Sequence, residues 1–197
     1  MKRVNEIFYS LQGEGRNTGR AAIFVRLAGC NLRCAFCDTD FHAYTEMSDE
    51  DILQAIAPYE GRFVVITGGE PTLQVDEQLI DLLHRHGYEV AMETNGTHPL
   101  PRNLDWSTVS PKALFFAGER QKAAMPVVKR CNELKCVFAA CGQVDDFGIE
   151  ADYYYLQPCD TGNEEVDRLT LKRCIDYIKR HPRWRLSLQT HKMIGVR

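Results

Sequence analysis

The sequence predicts an α/β fold in which about six parallel strands and their crossover helices form a curved partial barrel. One observation is a recurring order of apolar strand, polar or glycine-containing loop, and amphipathic helix, which is typical of parallel sheets. A second is the length of 197 residues, which is short for a closed barrel of roughly 250 residues. We therefore expect a single domain over residues 1–197, with its site at the carboxyl ends of the strands.

The strands are predicted from short apolar runs that end in glycine or polar residues. In chain order they are Ala21–Leu27, 62–67, 88–93, 105–110, 133–138, 153–156 and 184–189. Helices are predicted over the periodic segments 76–86 and 164–181. Another is predicted to begin at Ser48, which three acids follow, and a short one over 144–149.

A cysteine cluster follows the first of these strands. Cys30, Cys34 and Cys37 have the spacing C-x3-C-x2-C. Cysteines this close bridge poorly as disulfides, and soft thiolates select zinc, copper(I) or iron–sulfur clusters. A 4Fe–4S cluster takes one ligand per iron, so three thiolates leave one iron open to another ligand. The alternative is a zinc site completed by Asp38, His42 or a distant cysteine.

Net charge and hydropathy argue against a nucleic-acid-binding protein and against a membrane-spanning one. The net charge of −3 gives no electrostatic footprint for nucleic acid, and no apolar run approaches the ~20 residues of a membrane span. No apolar run follows Lys2 and Arg3, so we expect no secretory signal and a cytoplasmic protein with reduced thiols. The cysteines outside the cluster are expected to pack as small hydrophobes, without forming a second metal site. They are Cys131, Cys136, Cys141, Cys159 and Cys174.

Polar motifs also follow several other predicted strands. They are Gly68-Gly69-Glu70-Pro71, Glu93-Thr94-Asn95-Gly96, Ser110-Pro111-Lys112 and Gln157-Pro158-Cys159-Asp160. Each alone is compatible with a turn, but glycines at a strand end also let the backbone approach a ligand. Arg26 interrupts an apolar strand, so it needs an anionic partner, either a structural carboxylate or a bound ligand.

The cysteine spacing, with Phe36 before the last cysteine, resembles the radical S-adenosylmethionine (SAM) family. The segment Gly68-Gly69-Glu70-Pro71 resembles the GGEP motif of the same family. This resemblance implies a partial barrel of the radical SAM type and a 4Fe–4S cluster on three cysteines. It also implies that the open iron chelates SAM, whose cleavage yields a 5′-deoxyadenosyl radical.

Additional motifs resemble one branch of that family, the 7-carboxy-7-deazaguanine synthases, over nearly the whole chain. They are Leu11-Gln12-Gly13-Glu14-Gly15, Cys37-Asp38-Thr39 and Leu188-Gln189-Thr190-His191-Lys192. The resemblance implies contraction of 6-carboxy-5,6,7,8-tetrahydropterin to 7-carboxy-7-deazaguanine with loss of ammonia, in queuosine or other 7-deazapurine biosynthesis. It also implies Mg2+, an electron donor such as flavodoxin or ferredoxin, and a homodimer.

The same resemblance implies ligand contacts residue by residue. The cluster is expected on Cys30, Cys34 and Cys37, and Mg2+ on Thr39. SAM contacts are expected from Gly69, Ser110, Pro111, Lys112, Gln157, Pro158, Cys159 and Asp160. Substrate contacts are expected from Leu11, Gln12, Gly13, Arg26, Thr67, His191 and Arg197. Family members often end in proline, whose terminal carboxylate reaches the substrate; here Arg197 stands at that place.

Two other functions are compatible with part of this pattern. A glycyl-radical activase is also a short radical SAM enzyme, but it acts on a protein and needs neither Thr39 nor the Gln12-Gly13-Glu14-Gly15 loop. A zinc-stabilised binding module would leave the strand-end motifs without a role. No general acid or base beyond these residues is evident in the sequence.

Overall fold

The computed structural model describes residues 1–37 and 43–197. Its strands are β1 (Lys2–Leu11), β2 (Ala21–Leu27), β3 (Thr45–Met47), β4 (Phe63–Gly68), β5 (Glu89–Thr94), β6 (Trp106–Val109), β7 (Arg130–Phe138), β8 (Glu150–Pro158) and β9 (Trp184–Leu186). Its helices are α1 (Asp49–Ile56), α2 (Glu77–Arg85), α3 (Gly118–Ala123), α4 (Glu164–Arg180) and α5 (Thr190–Ile194). Short 3-10 turns cover Gly15–Asn17, Pro71–Leu73 and Ala113–Phe115.

Within the described residues these strands form one nine-stranded sheet, in the order β3-β1-β2-β4-β5-β6-β7-β8-β9. The strands from β2 and β4 through β9 pair in parallel, whereas β1 and β3 join the β2 edge in antiparallel fashion. The sheet is open, since β3 and β9 end it without pairing with each other. The expected α/β fold with a partial barrel of about six parallel strands is therefore confirmed. The seven strand segments named from the sequence correspond to the seven parallel strands, and β1 and β3 add an antiparallel edge.

The side chains of β2 point alternately to the two faces of the sheet. One face is covered by helices, and the other leads to the site. Ile23 and Val25 pack into a core that includes Ile52 of α1 and Leu79 of α2. Phe24 points to the other face, where it stacks on Phe8 at a centroid distance of 4.9 Å. Because side chains alternate in a strand, Arg26 shares the face of Phe24.

The predicted helix starts are confirmed by their caps. Ser48 and Asp51 form a capping box, in which Ser48 Oγ accepts a bond from Asp51 N at 3.1 Å and Asp51 Oδ2 accepts one from Ser48 N at 2.9 Å. Asp76 Oδ1 accepts a bond from Leu79 N at 3.1 Å and opens α2. No helix in the described part of the chain is long and apolar enough to cross a membrane.

The predicted helix over 144–149 is wrong. Asp145 Oδ1 accepts a bond from Phe147 N at 2.7 Å, and Asp146 Oδ1 accepts one from Gly148 N at 2.9 Å. These bonds occupy backbone donors that a helix would need, and Phe147 has a φ of 53°. Local side-chain bonds therefore fold this segment as turns.

Candidate active site

A cavity of about 510 Å³ lies at the carboxyl ends of the parallel strands. Its lining contains every site residue predicted from the sequence except Pro111 and Thr39. Pro111 is buried, and Thr39 lies outside the described residues, as do Asp38 and His42. Residues separated by up to the full length of the chain therefore meet in one space.

The cysteine loop, residues 30–37, forms one wall of this cavity. Cys30 and Cys34 are half-buried and Cys37 is exposed. The ring of Phe36 packs on that of Phe115 at a centroid distance of 4.5 Å, and Phe36 also lines the cavity. Three soft donors on one short loop beside an open cavity fit a 4Fe–4S cluster with one free iron. Among the described residues, no group of three or more His, Cys, Asp or Glu side chains is arranged to hold a single metal ion.

At Gly69 the GGEP segment packs closely against the start of the cysteine loop. The Gly69 N–H donates to Leu27 O at 2.7 Å, and Glu70 N donates to Gly29 O at 2.8 Å. A Cβ added at Gly69 would lie 1.8 Å from Gly29 O, so only glycine allows the two backbones to approach this closely.

Glu70 of the same motif does not line the cavity. Its carboxylate is fully buried and accepts bonds from Thr72 Oγ1 at 2.6 Å, Thr94 Oγ1 at 2.5 Å and Asn95 N at 2.8 Å. A buried carboxylate with this many donors is satisfied by the protein itself. Glu70 therefore joins the ends of β4 and β5 and leaves its neighbour Gly69 to face the ligand space.

The predicted SAM contacts form the wall on the β6 and β8 side. Lys112 Nζ donates to Ser110 O at 2.7 Å and to Ser110 Oγ at 2.6 Å, and burial lowers the Lys112 pKa. Asp160 accepts a bond from Lys192 Nζ at 2.5 Å, which, with the Gly162 N–H, holds the Asp160 pKa below its ordinary value. The chain therefore fixes these polar groups before any ligand binds.

The predicted substrate contacts gather where the β1 end meets the C-terminal segment. Gly13 O accepts bonds from Thr190 N at 3.0 Å and from Thr190 Oγ1 at 2.8 Å. The His191 ring covers Gly13, since an added Cβ there would lie 2.0 Å from His191 Nδ1. Gln12 Nε2 donates to Glu93 Oε1 at 2.9 Å, and Thr67 Oγ1 donates to Glu93 Oε2 at 3.5 Å.

Arg26 has a structural partner and also lines the cavity. Its Nε donates to Glu6 Oε1 at 2.8 Å. The Arg197 guanidinium pairs with the other oxygen of Glu6, and Arg197 O accepts a bond from Ser10 Oγ at 2.6 Å. A carboxylate of this chain, Glu6, is therefore an anionic partner of Arg26, and Arg26 shares it with Arg197.

Comparison with known proteins identifies the family. The model of the radical SAM superfamily matches residues 24–106. A 7-carboxy-7-deazaguanine synthase of Bacteroides thetaiotaomicron is 45% identical over 100% of both chains, and one of Bradyrhizobium diazoefficiens is 43% identical over 98% of both. The chain belongs to the 7-carboxy-7-deazaguanine synthase family. The crystal structure of QueE from Escherichia coli matches with a TM-score of 0.70 at 30% identity, over 95% of this chain and 93% of that one.

Membership in the 7-carboxy-7-deazaguanine synthase family confirms the resemblance drawn from the motifs. A radical SAM family implies a 4Fe–4S cluster and SAM, and the cysteine loop and cavity fit both. Such an enzyme also needs a reductant and a small-molecule substrate. Both of these full-length relatives carry the synthase name.

Sequence reasoning missed a buried charged cluster beside the predicted substrate residues. Glu133 and Lys135 of β7 are 2% and 5% exposed. Lys135 Nζ pairs closely with Glu14 and lies 3.8 Å from Glu93 Oε2. The available signal was two charged residues at alternate positions of an apolar strand, as with Arg26 in β2.

The pKa values of Glu14 and Glu133 in this cluster are shifted in opposite directions. Burial would raise the pKa of Glu14, but the Lys135 ammonium and bonds from Lys135 and Gln189 outweigh it and lower that pKa to about 2. Burial raises the pKa of Glu133 to about 7, although Lys135 and the Arg16 N–H oppose this. Glu14 therefore stabilises the fold as an anion, whereas ionised Glu133 destabilises it.

Replacing Glu133 with glutamine is expected to stabilise the protein at pH 8 but not at pH 4. Between pH values of about 4.5 and 7 the unfolded chain releases the Glu133 proton while the folded chain keeps it, so wild-type stability falls as pH rises. We expect the variant's advantage in free energy of unfolding to grow by about 3 kcal/mol over this window. Anaerobic urea unfolding at both pH values measures it.

The matched control is Glu14→Gln, for which the sign reverses. The Glu14 carboxylate contributes stability above about pH 4.5 that is lost as pH falls toward 2, so this variant should be less stable than wild type at pH 7. A pH-independent difference between Glu133→Gln and wild type would contradict the electrostatic assignment.

Proposed function

We propose that this protein converts 6-carboxy-5,6,7,8-tetrahydropterin into 7-carboxy-7-deazaguanine with release of ammonia. It is then a carbon–nitrogen lyase of queuosine or other 7-deazapurine biosynthesis. The observation that carries the proposal is that a single cavity joins the cysteine loop, the SAM motifs and the motifs of the synthase branch. Full-length relatives at 45% and 43% identity with the synthase name support it.

The charges around the cavity complement this substrate. A pterin carries N–H donors on its aminopyrimidinone edge, and the carboxylates of Glu14 and Glu93 line the cavity as acceptors. The substrate also carries a carboxylate, and the guanidinium groups of Arg26 and Arg197, which share Glu6, line the same cavity. Acceptors for one part of the ring system and guanidinium groups for its carboxylate favour a single orientation of the ring.

The cluster would be held by Cys30, Cys34 and Cys37, and with bound SAM it supplies a 5′-deoxyadenosyl radical. The chain's residues bind and orient the reactants. Gly69, Ser110 and Pro111 with Lys112, and the segment 157–160, are proposed to hold SAM beside the cysteine loop. Leu11, Gln12, Gly13, Thr67 and His191 are proposed to hold the pterin at the opposite wall, so its ring carbon faces SAM.

We extend the proposal to Mg2+, held through the Thr39 hydroxyl. Mg2+ prefers oxygen ligands in octahedral geometry, and a hydroxyl, the substrate carboxylate and water provide them. As a Lewis acid it would steer charge during ring contraction. The proposal also includes a single domain over residues 1–197, a cytoplasmic homodimer, and flavodoxin or ferredoxin as the electron donor.

Anaerobic turnover tests the proposal. The reconstituted, dithionite-reduced protein receives SAM, Mg2+ and 6-carboxytetrahydropterin, and the product is followed by ultraviolet absorbance and mass. We expect 7-carboxy-7-deazaguanine and ammonia, with a Mg2+ response that Thr39→Ala alters. If the protein cleaves SAM but leaves the pterin intact, the assignment of the pterin as its substrate is wrong. A glycyl-radical activase would give this result.

A further inference from the structure

The loop at residues 12–16 carries two of the proposed substrate contacts and is held by side chains distant in sequence. Gln12 Nε2 donates to Glu93 Oε1 at 2.9 Å. Glu14 N donates to Gln12 Oε1 at 3.1 Å, and Arg16 N donates to Glu133 Oε2 at 2.8 Å. These bonds fix the loop at its start, its middle and its end.

Lys135 stands at the centre of this arrangement. Its Nζ pairs with Glu14 and lies 3.8 Å from Glu93 Oε2, so one ammonium faces the carboxylates of Glu14 and Glu93, which both line the cavity. Glu14 Oε1 also accepts a bond from Gln189 Nε2 at 3.1 Å, which connects the C-terminal segment to the same group. Without the ammonium, these two partly buried carboxylates would lose their shared counter-charge.

We propose that Lys135 is a positioning residue for the substrate site. Its ammonium holds the Glu14 and Glu93 carboxylates in their cavity-facing positions and, through them, the 12–16 loop. This role rests on the proposed function, because the loop matters for turnover only where the pterin binds against it. Lys135 acts through its carboxylate partners on the substrate side of the cavity.

The ionisation of Glu14 is part of this role. Burial would raise the Glu14 pKa, and Lys135 reverses the shift. Charged groups reach this cluster from every element packed against it. They are Glu14 from the loop after β1, Glu93 from β5, Lys112 from the segment after β6, and Glu133 and Lys135 from β7. Lys112 is bonded to Ser110, so it does not replace Lys135 as the partner of Glu14.

The test is Lys135→Met, which removes the charge and keeps the length of the side chain. We expect the KM for the pterin to rise about 10- to 100-fold, with a smaller change in kcat. The acid limb of the pH profile should move up by about two pH units or more, because Glu14 without its ammonium partner takes up a proton more readily. Lys135→Arg keeps the charge and should retain the wild-type acid limb.

Lys2→Met is the matched control. Lys2 is also 5% exposed and faces two acids, with Nζ 2.5 Å from Asp49 Oδ1 and 3.6 Å from Asp76 Oδ2, but it does not line the cavity. This variant should lose stability and keep the pterin KM and the pH profile of wild type. If Lys135→Met behaves in the same way, its role is structural and the proposal is overturned.

Hydrogen exchange separates this proposal from the proposed function. In the holoenzyme without pterin, the backbone amides of Glu14 and Arg16 should exchange hydrogen faster in Lys135→Met than in wild type. This expectation does not depend on the identity of the substrate. If wild type fails to convert the pterin, the proposed function fails, and unchanged exchange would overturn the role of Lys135.

Where Lys135→Met does not fold, the double variant with Glu14→Gln removes one charge of each sign. A wild-type KM in that variant also overturns the proposal.

Discussion

Gly69→Ala is expected to abolish turnover and to lower the free energy of unfolding by about 3 kcal/mol or more. The added Cβ would lie 1.8 Å from Gly29 O, and the contact is to backbone, so no rotamer change relieves it. The GGEP segment and the cysteine loop must separate, which displaces a proposed SAM contact and Cys30 together. Thermal unfolding, iron content after reconstitution and turnover measure the effect.

The control for this substitution is Gly87→Ala. Gly87 has a φ of 78°, but an added Cβ there meets nothing within 4 Å. This variant carries backbone strain of about 1 kcal/mol without a collision and should retain full iron and turnover. Normal iron content and turnover in Gly69→Ala would mean that the close approach of the two backbones has no role in the site.

Cys34→Ala is expected to remove the cluster and to reduce SAM cleavage and pterin turnover below detection. Cys34 is one of three thiols on the cysteine loop, and a 4Fe–4S cluster with only two protein ligands is not stably held. Iron and sulfide content, with the visible absorbance of the reconstituted protein, measure the loss.

Two other cysteines provide matched controls. Cys159 lines the same cavity, and Cys174 is a fully buried residue on the core-facing side of α4. Neither is on the cysteine loop, so Cys159→Ala and Cys174→Ala should both retain the full iron content. Full iron and SAM cleavage in Cys34→Ala, or loss of iron in Cys174→Ala, would contradict the assignment of the cluster ligands.

Many residues of the cavity lining could be predicted from the sequence because their motifs are local and stand at strand ends. Once a parallel sheet is inferred, Gly69, Ser110 and Gln157 must meet at one edge, since parallel strands end on the same side. The cavity lining has this composition. The finer role of Glu70 was not predictable, because only the folded chain shows that its partners are Thr72, Thr94 and Asn95.

The charged cluster was missed because its contacts are long-range. Lys135 and Glu14 are 121 residues apart, and their meeting depends on the curvature of the sheet and the direction of the loop after β1. Sequence periodicity assigns a face to Lys135 but does not say what lies opposite. The failed helix at 144–149 has a local cause, since Asp145 and Asp146 bond to the backbone two residues ahead.

The most direct test of the central claim is the ratio of product to SAM. The reduced enzyme receives one equivalent of SAM with excess 6-carboxytetrahydropterin and Mg2+ under anaerobic conditions, and product and remaining SAM are counted by mass spectrometry. If one cavity holds both molecules, and 5′-deoxyadenosine returns to the contracted ring the hydrogen atom that its radical would take from the pterin, many molecules of 7-carboxy-7-deazaguanine should form while SAM persists. One product per SAM consumed, or SAM loss without product, would contradict this account.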